Sequence, residues 1–179
     1  MKACMFFASG YEECEALIVV DMLRRANVDI DMIGLNDMIV KSSHNVTVKM
    51  DKVFDDCDFD DYDIFILPGG MPGTTNLKND ERLLALLQKK YDEKKLICAI
   101  CAAPSVLASI GILDGKKATS FPSFRSCLVN SEVMDVKCVQ DGNVITACGL
   151  GAAFEFAKCI LSNILDEDKV EDVYQRICY

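Results

Sequence analysis

A cysteine near the middle of the chain has the sequence context of a reactive thiol. Cys101 follows the apolar run 96–100, which has the length and composition of a strand buried on both faces, and it precedes a helix predicted over 102–110. The thiol is therefore expected in a sharp turn at the carboxyl end of a sheet. The helix N-terminus that follows is expected to favour the thiolate, which is the nucleophilic form.

Small neighbours support this interpretation of Cys101. Ala99, Ala102 and Ala103 leave room for a tight turn, as the glycines of hydrolase elbows do. The alternative is a buried cysteine that packs as a small hydrophobe, which is the ordinary role of any one thiol in a chain with ten cysteines. Position and neighbours together favour the nucleophile.

Two further features are predicted at the same edge of the sheet. The segment 68–73, Pro-Gly-Gly-Met-Pro-Gly, follows an apolar strand, and its adjacent glycines leave backbone N–H groups free to hold an oxyanion. Taken alone, this segment fits a plain tight turn equally well. Glu15 begins the first predicted helix, just beyond the end of the first strand. Beside a thiolate, a partly buried carboxyl tends to stay protonated and can then move a proton. The alternative is that Glu12, Glu13 and Glu15 only complement the positive end of that helix.

Other kinds of cysteine site are disfavoured. The only histidine, His44, is predicted in a hairpin after the second strand, so a Cys-His-Asp triad within one subunit is not expected. Cys98 and Cys101 form the one Cys-x-x-Cys pair, but Cys98 lies in the strand, roughly 10 Å away and too far for a disulfide. The same counts disfavour zinc, and no metal or cofactor is predicted.

Strands and helices alternate around these residues. Strands are predicted at 3–8, 29–34, 62–67, 96–100 and 117–120, helices at 13–26, 80–94, 102–110, 149–165 and from 168 onward, and hairpins within 41–54 and 136–148, with an acidic solvated loop at 55–61. This βαβ repetition indicates one α/β domain over 1–179, with a mainly parallel sheet and ligands at the carboxyl ends of the strands.

Composition excludes several classes of protein. Of the 179 residues, 51% are hydrophobic and 26% are charged, which fits one sizeable globular core. The net charge of −9, without a cluster of Lys and Arg, argues against strong nucleic-acid binding. No apolar run reaches the roughly eighteen residues of a membrane span, and Glu12 and Glu13 follow the N-terminus too closely for a signal peptide. We therefore expect a cytoplasmic protein whose cysteines are reduced.

The first predicted helix is apolar on two sides. One stripe contains Ala16, Val19, Val20, Leu23 and Ala26, and the opposite stripe contains Cys14, Ile18 and Met22. A helix with two apolar sides usually has two partners. We therefore predict the core on one side and a second subunit on the other.

Four short motifs resemble those of a known family. Gly-Tyr-Glu-Glu-Cys-Glu at 10–15, Leu-Pro-Gly-Gly at 67–70, Ala-Ile-Cys-Ala-Ala-Pro at 99–104 and Phe-Glu-Phe-Ala at 154–157 are similar, in the same order, to the ThiJ/PfpI superfamily and in particular to its DJ-1 branch. The resemblance implies a flavodoxin-like three-layer sandwich with a nucleophile elbow, and a homodimer built partly on the first helix. It also implies an oxidation-sensitive nucleophile at Cys101, a protonated Glu15, and an oxyanion hole formed by the backbone amides of Gly70 and Ala102.

The resemblance implies two classes of function. One is a cofactor-independent glyoxalase or deglycase, in which Cys101 adds to the aldehyde of methylglyoxal or glyoxal, or to their early protein adducts, and Glu15 moves the proton between carbons. The other is a redox sensor or chaperone-like stress protein, in which Cys101 is oxidised to a sulfinate held by Glu15. A dimer with a vestigial cysteine is the third alternative.

The chain departs from the family pattern at two positions. Members of the protease-like branch have a histidine after the cysteine, whereas this chain has Ala102, so peptidase activity is not expected. Many DJ-1-like members carry a histidine where this chain has Phe121, which leaves proton transfer to Glu15 or water. At the position of His44, relatives can carry a basic residue near the dimer interface. Cys14 is expected near the two-fold axis.

Overall fold

The computed structural model describes residues 1–179. Its strands are β1 (Lys2–Phe7), β2 (Asp29–Gly34), β3 (Ile39–Lys41), β4 (Thr47–Lys49), β5 (Lys52–Val53), β6 (Ile64–Leu67), β7 (Leu96–Ile100), β8 (Lys117–Ala118), β9 (Glu132–Val133), β10 (Cys138–Asp141) and β11 (Val144–Ala147). Its helices are α1 (Glu13–Arg25), α2 (Gly73–Lys78), α3 (Glu81–Asp92), α4 (Pro104–Ser109), α5 (Ala153–Leu161) and α6 (Glu167–Arg176).

Seven strands form the central sheet, in the order β10-β11-β7-β6-β1-β2-β5. All neighbouring pairs are parallel except β10 and β11, which form the antiparallel hairpin predicted around Asp141. The central strands β6, β7, β1 and β11 are almost wholly buried, because Ile, Phe and Leu side chains alternate between two covered faces. The carboxyl ends of these parallel strands therefore meet at one edge of the sheet.

Helices cover both faces of the sheet and give a three-layer sandwich. One core contains Met5 of β1 together with side chains of α1, α5 and α6. The other contains Phe6 of β1 together with side chains of α2, α3 and α4. Successive residues of β1 enter opposite cores because side chains alternate along a strand. The α/β fold with a mainly parallel sheet, predicted from the sequence, is confirmed.

Several local predictions were wrong. The short helix α2 was not predicted, because Gly, Thr and Asn make up most of it and Leu77 is its only large core residue. The predicted acidic loop 55–61 contains two 3-10 turns, where the ring of Phe59 packs 5.8 Å from that of Phe6. The predicted helix 149–165 starts instead as a 3-10 turn over Leu150–Ala152, which follows Gly149 and contains Gly151, and α5 ends at Leu161.

The first helix differs from its prediction in one residue. Met22 was placed on the outer stripe of α1, but it is 1% exposed and belongs to the core. Cys14 is exposed, and Leu17 and Ile18 are half-buried. The apolar side chains on the outer face of α1 therefore lie in its N-terminal half. None of the helices combines the length and the apolar composition that crossing a bilayer requires.

Candidate active site

Cys101 lies in a strained turn directly after β7. Its φ is +64°, in the left-handed region, which costs a residue with a Cβ about 1 kcal/mol or more. Two long-range backbone hydrogen bonds hold Cys101 in this conformation. Cys101 N–H donates to the Ala147 carbonyl at 2.9 Å, and Phe121 N–H donates to the Cys101 carbonyl at 2.8 Å. The elbow predicted at the end of β7 is therefore present, and Ala102 and Ala103 are buried beside it.

The helix after the elbow begins later than predicted. Residues 101–103 form turns, and α4 starts at Pro104 and has six residues. Cys101 lies in the turn between β7 and the helix, as predicted, but three residues before the helix N-terminus that was expected to favour the thiolate. Its sulfur instead receives hydrogen bonds from two single backbone amides, those of Ala102 and Gly70.

Glu15 lies against the sulfur of Cys101. Its side chain is 1% exposed, although it belongs to the first turn of a surface helix. Glu12, the N-cap of α1, accepts a hydrogen bond from Glu15 N–H at 2.6 Å, which fixes the start of the helix. The Glu15 carboxyl accepts from Gly69 N–H at 3.1 Å and is hydrogen-bonded to the Cys101 thiol and to the backbone amide of Leu150.

Burial raises the pKa of Glu15 from 4.5 to about 7. The hydrogen bonds with Cys101 and Gly69 N–H oppose this shift, while the negative charge of Glu12 adds to it. A substantial fraction of this carboxyl is therefore protonated at neutral pH.

The sequence predicted that the thiolate of Cys101 would be favoured, but the contact with Glu15 disfavours it. Burial and the charge of an ionised Glu15 raise the pKa of the Cys101 thiol, and the amides of Ala102 and Gly70 lower it only in part. The two groups therefore titrate as a pair that shares one proton. When that proton is on Glu15, the repulsion disappears, and the sulfur is a thiolate that faces a carboxylic acid and two N–H donors.

Glycine is required at both positions 69 and 70, after β6, because atoms of other segments lie too close to leave room for a side chain. A Cβ on Gly69 would lie 2.5 Å from Glu15 Oε2 and 2.6 Å from Cys101 Cβ. Gly70 has a φ of +92°, and a Cβ there would lie 2.2 Å from the backbone nitrogen of Glu12. The segment is thus more than a tight turn, because it brings the Gly70 amide to the sulfur and the Gly69 amide to Glu15.

Two residues at the pocket wall were missed by sequence reasoning. Gly149 follows β11, and a Cβ there would lie 3.3 Å from Phe121 Cδ2 and 3.9 Å from both Cys101 Sγ and Glu15 Oε1. Leu150, the next residue, supplies a backbone amide to Glu15. No sequence signal indicated this role, because the adjacency of β11 and β7 is visible only in the structure. Phe121, 46% exposed, lies beside Gly149.

His44 is outside this pocket. Its side chain is 71% exposed, and Nδ1 lies 3.0 Å from Glu13 Oε1, which is on the outer side of α1. Ligand atoms of Glu12, Glu13 and His44 lie within 4.8 Å of one another. Glu12 is used as the cap of α1 and Glu13 pairs with His44, so these contacts already account for the cluster.

A separate groove near the same edge holds no comparable chemistry. It is lined by polar residues that include Ser9, Asn36, Lys41 and Asn76. It contains no thiol, and the Asp80 carboxylate at its edge caps α3 and pairs with Arg82 at 2.6 Å. The candidate site is therefore the cluster formed by Cys101, Glu15 and the backbone amides that face them.

Known proteins share this arrangement of elements. The family model described as the DJ-1/PfpI family matches residues 1–163. The chain is 40% identical over 175 residues to protein dj-1beta of Drosophila melanogaster, covering 96% of this chain and 94% of that protein. It is 29% identical over 150 residues to a protein of Thermococcus kodakarensis named a deglycase, covering 82% of this chain and 89% of that one.

Solved structures agree with these sequence matches. The crystal structure of Drosophila melanogaster DJ-1beta superposes with a TM-score of 0.94 at 38% identity, covering 99% of this chain and 98% of that one. A structure of Toxoplasma gondii DJ-1 described as oxidised superposes with a TM-score of 0.95 at 30% identity and the same coverage. The elbow, the glycine segment and the paired carboxyl thus lie in a fold whose sequence and architecture both match, and the chain belongs to the DJ-1/PfpI family.

Proposed function

We propose that this protein is a cysteine-dependent, cofactor-independent enzyme of the glyoxalase or deglycase type. Its substrates are methylglyoxal, glyoxal or their early adducts on proteins. The proposal depends on one observation: the buried Glu15 carboxyl, with a pKa raised to about 7, is hydrogen-bonded to Cys101, whose sulfur also faces two backbone amides. A relative named a deglycase, at 29% identity, supports the deglycase part of this proposal.

The first step forms a carbon–sulfur bond. The Cys101 thiolate adds to the aldehyde carbon, and the electrons of the C=O bond move to its oxygen. The amides of Gly70 and Ala102, which contact the sulfur, can hold this oxyanion. Glu15 protonates it, which leaves a hemithioacetal and an ionised carboxylate.

The second step moves hydrogen between the two carbons. The Glu15 carboxylate removes the proton from the former aldehyde carbon, giving an enediol, and then returns a proton to the neighbouring carbon. The product is a thioester of Cys101 with a 2-hydroxy acid, so one carbon is oxidised and the other reduced with no outside oxidant. Water hydrolyses the thioester, releasing lactate from methylglyoxal and restoring the thiol.

Release of an early adduct can use the same groups. A hemithioacetal or hemiaminal on another protein is in equilibrium with free aldehyde. Cys101 can add to that aldehyde before the adduct rearranges to a stable product. Cys101 is half-buried and Phe121 beside it is 46% exposed, so an adduct can approach the sulfur from this side.

Lactate formation from methylglyoxal without glutathione tests this proposal. The wild type should form lactate, and Cys101→Ala should lose the activity. Cys178→Ala serves as the matched control because it removes an exposed thiol near the C-terminus and should keep full turnover. Absence of lactate from the wild type would contradict the glyoxalase proposal.

A second candidate function is redox sensing by Cys101. A protonated Glu15 can donate a hydrogen bond to an oxygen added to the sulfur, and one similar structure is described as oxidised. Mass spectrometry after mild peroxide treatment would show two oxygen atoms added at Cys101. This function would stand first if oxidation occurs in a protein that makes no lactate.

We also propose that the chain forms a homodimer through the outer face of α1. A shallow apolar depression there is lined by Cys14, Leu17 and Ile18, with Val46 of the β3–β4 hairpin beside them. A second copy of the same face would cover these side chains. The abundance of free thiols fits a reducing compartment, and we place the protein in the cytoplasm.

A further inference from the structure

A second pair of interacting thiols lies away from the Cys101 pocket. Cys138 is the first residue of β10, and Cys159 lies in α5. Each thiol shifts the ionisation of the other, both residues are half-buried, and both pack against the same hydrophobic core. Neither belongs to the groups that hold Cys101 or Glu15.

The sheet register explains why these two thiols meet. Cys138 is paired with Ala147 of β11, which is paired in turn with Ile100 of β7, and all three pack in the core that α5 covers. Cys159 therefore lies directly above the edge strand β10. Its thiol also donates to Gln140 Oε1 at 3.5 Å.

Polar side chains fix α5 against β10 at the same place. Gln140 Nε2 donates to Asn163 Oδ1 at 2.9 Å, and Asn163 Nδ2 donates back to Gln140 Oε1 at 3.0 Å. Asn163 Nδ2 also donates to the Cys159 carbonyl at 2.8 Å. Cys138 and Gln140 are two residues apart and share one face of β10, so these contacts hold Cys159 over the end of the strand that begins with Cys138.

The two thiols differ in their readiness to ionise. The interaction with Cys138 lowers the pKa of Cys159, against the effect of burial. The same interaction, together with burial, raises the pKa of Cys138. Cys159 is therefore the thiol that reacts first, and Cys138 is the one placed to resolve the product.

Two other cysteines are near this pair but lack its features. Cys98 is fully buried on β7, where small oxidants have no access, and burial raises its pKa. Cys148, after β11, makes no hydrogen bond with either thiol. It supplies a matched control.

We propose that Cys138 and Cys159 form a reversible intramolecular disulfide when hydrogen peroxide reaches the protein. The Cys159 thiolate attacks one peroxide oxygen, the O–O bond breaks, and a sulfenic acid forms with release of water after protonation. The Cys138 sulfur then attacks the sulfur of Cys159, the S–O bond breaks, and a second water leaves as the S–S bond forms. Two thiols lose two electrons in total, and the peroxide gains them.

The disulfide would connect an edge strand to the helix that follows the Cys101 pocket. The 3-10 turn before α5 carries Leu150, whose amide is bonded to Glu15. Oxidation of the pair therefore constrains one wall of that pocket, by chemistry that a thiol reductant reverses. This inference does not depend on the function proposed for Cys101.

Peptide mapping tests the proposal on the full chain. Wild type and Cys101→Ala are treated with a few equivalents of hydrogen peroxide, quenched with acid, alkylated in denaturant and digested. We expect a peptide pair linked through Cys138 and Cys159 in both proteins, absent after dithiothreitol. Cys148→Ser should retain the linked pair, and Cys159→Ser should lose it. The proposal is overturned if both thiols remain free to alkylate at a peroxide dose that fully oxidises Cys101, or if Cys148 is the partner found.

Thermal unfolding gives a second measurement. Closing a loop of about twenty residues should raise the Tm of the oxidised protein by roughly 10 °C, and dithiothreitol should reverse the shift. A peroxide-dependent rise of the same size in Cys159→Ser would contradict the assignment, because that variant cannot form the bond.

Discussion

One proton decides the chemical state of the Cys101–Glu15 pair. With two protons the sulfur is a neutral thiol, and with one proton the pair includes the acid–thiolate form that attacks an aldehyde. The first ionisation follows the pKa of Glu15, about 7, and the second lies well above it because burial and the remaining charge oppose a second anion. The reactive form therefore accumulates as the pH rises through 7.

The rate of lactate formation should follow this proton. We expect kcat/KM for methylglyoxal to rise with pH, with a midpoint of about 7, and then to stay level into the alkaline range. Initial rates from about pH 5 to about pH 9 measure it. A rate that declines as the pH passes through 7 would show that the doubly protonated pair is the active form.

Replacing Glu15 should reduce turnover strongly. Glu15→Gln keeps the shape of the side chain but cannot exchange a proton, so we expect kcat to fall on the order of 100-fold or more. Glu132→Gln, an exposed substitution on β9, should leave kcat unchanged. Equal activity of Glu15→Gln and wild type would remove Glu15 from the mechanism.

The same carboxyl should lower the stability of the protein at alkaline pH. In the unfolded chain it ionises near 4.5, whereas in the folded protein it stays protonated up to about 7, so the folded state binds more protons between these values. The stabilisation from Glu15 is present below 4.5 and is lost as the pH rises through 7, at a cost of about 3 kcal/mol.

Urea unfolding of Glu15→Gln and wild type measures this effect. Glutamine does not titrate. We therefore expect the free energy of unfolding of the variant, minus that of the wild type, to increase by about 3 kcal/mol between pH 4.5 and pH 8. A difference that is constant with pH would show that the carboxyl has its ordinary pKa in the folded protein.

Among the elements, the elbow between β7 and α4 stores backbone strain. Cys101 has a φ of +64°, which glycine adopts freely and alanine does not. Cys101→Gly should therefore be roughly 0.5–1 kcal/mol more stable than Cys101→Ala, after allowing for the larger entropy of glycine in the unfolded chain. At Cys148, which has no positive φ, alanine should be the more stable of the two. Urea unfolding of the four variants tests both orders.

The elements that could be predicted are those with strong periodicity. The apolar run 96–100 predicted the strand that Cys101 follows. The amphipathic pattern of α1 predicted the helix that Glu15 begins. The role of Gly149 could not be predicted, because its contacts with Phe121 and Cys101 cross between β11 and β7 and leave no local pattern. The raised pKa of the Cys101 thiol was missed for the same reason, since it depends on the burial of a pair that is distant in sequence.

In the whole molecule, strand order brings the site together. β1, β6, β7 and β11 are adjacent in the sheet, and the segments that follow them supply Glu15, the glycine segment, Cys101 and Gly149. The sequence predicted that Glu15, the glycine segment and Cys101 share an edge, because parallel strands have that property. The neighbour relations came only with the structure, because they depend on crossovers that the sequence pattern leaves open.

The outer face of α1 should control the oligomeric state. Ile18 lies in the middle of this half-buried apolar face, and Glu13 and Asp21 lie at its border. A carboxylate at Ile18 would be buried in a dimer near these acidic groups, which costs several kcal/mol. We therefore expect Ile18→Asp to be a monomer in light scattering, where the wild type has twice the mass of one chain.

A matched substitution separates this effect from a general change in surface charge. Val129 is 82% exposed and lies outside α1, in the loop before β9. The variant Val129→Asp should therefore remain a dimer. Because α1 also carries Glu15 in its first turn, loss of the partner should loosen that turn and reduce lactate formation in Ile18→Asp but not in Val129→Asp. A monomeric wild type, or a dimeric Ile18→Asp with unchanged circular dichroism, would show that this face is not the interface. A monomeric variant with full turnover would show that each subunit holds Glu15 in place without its partner.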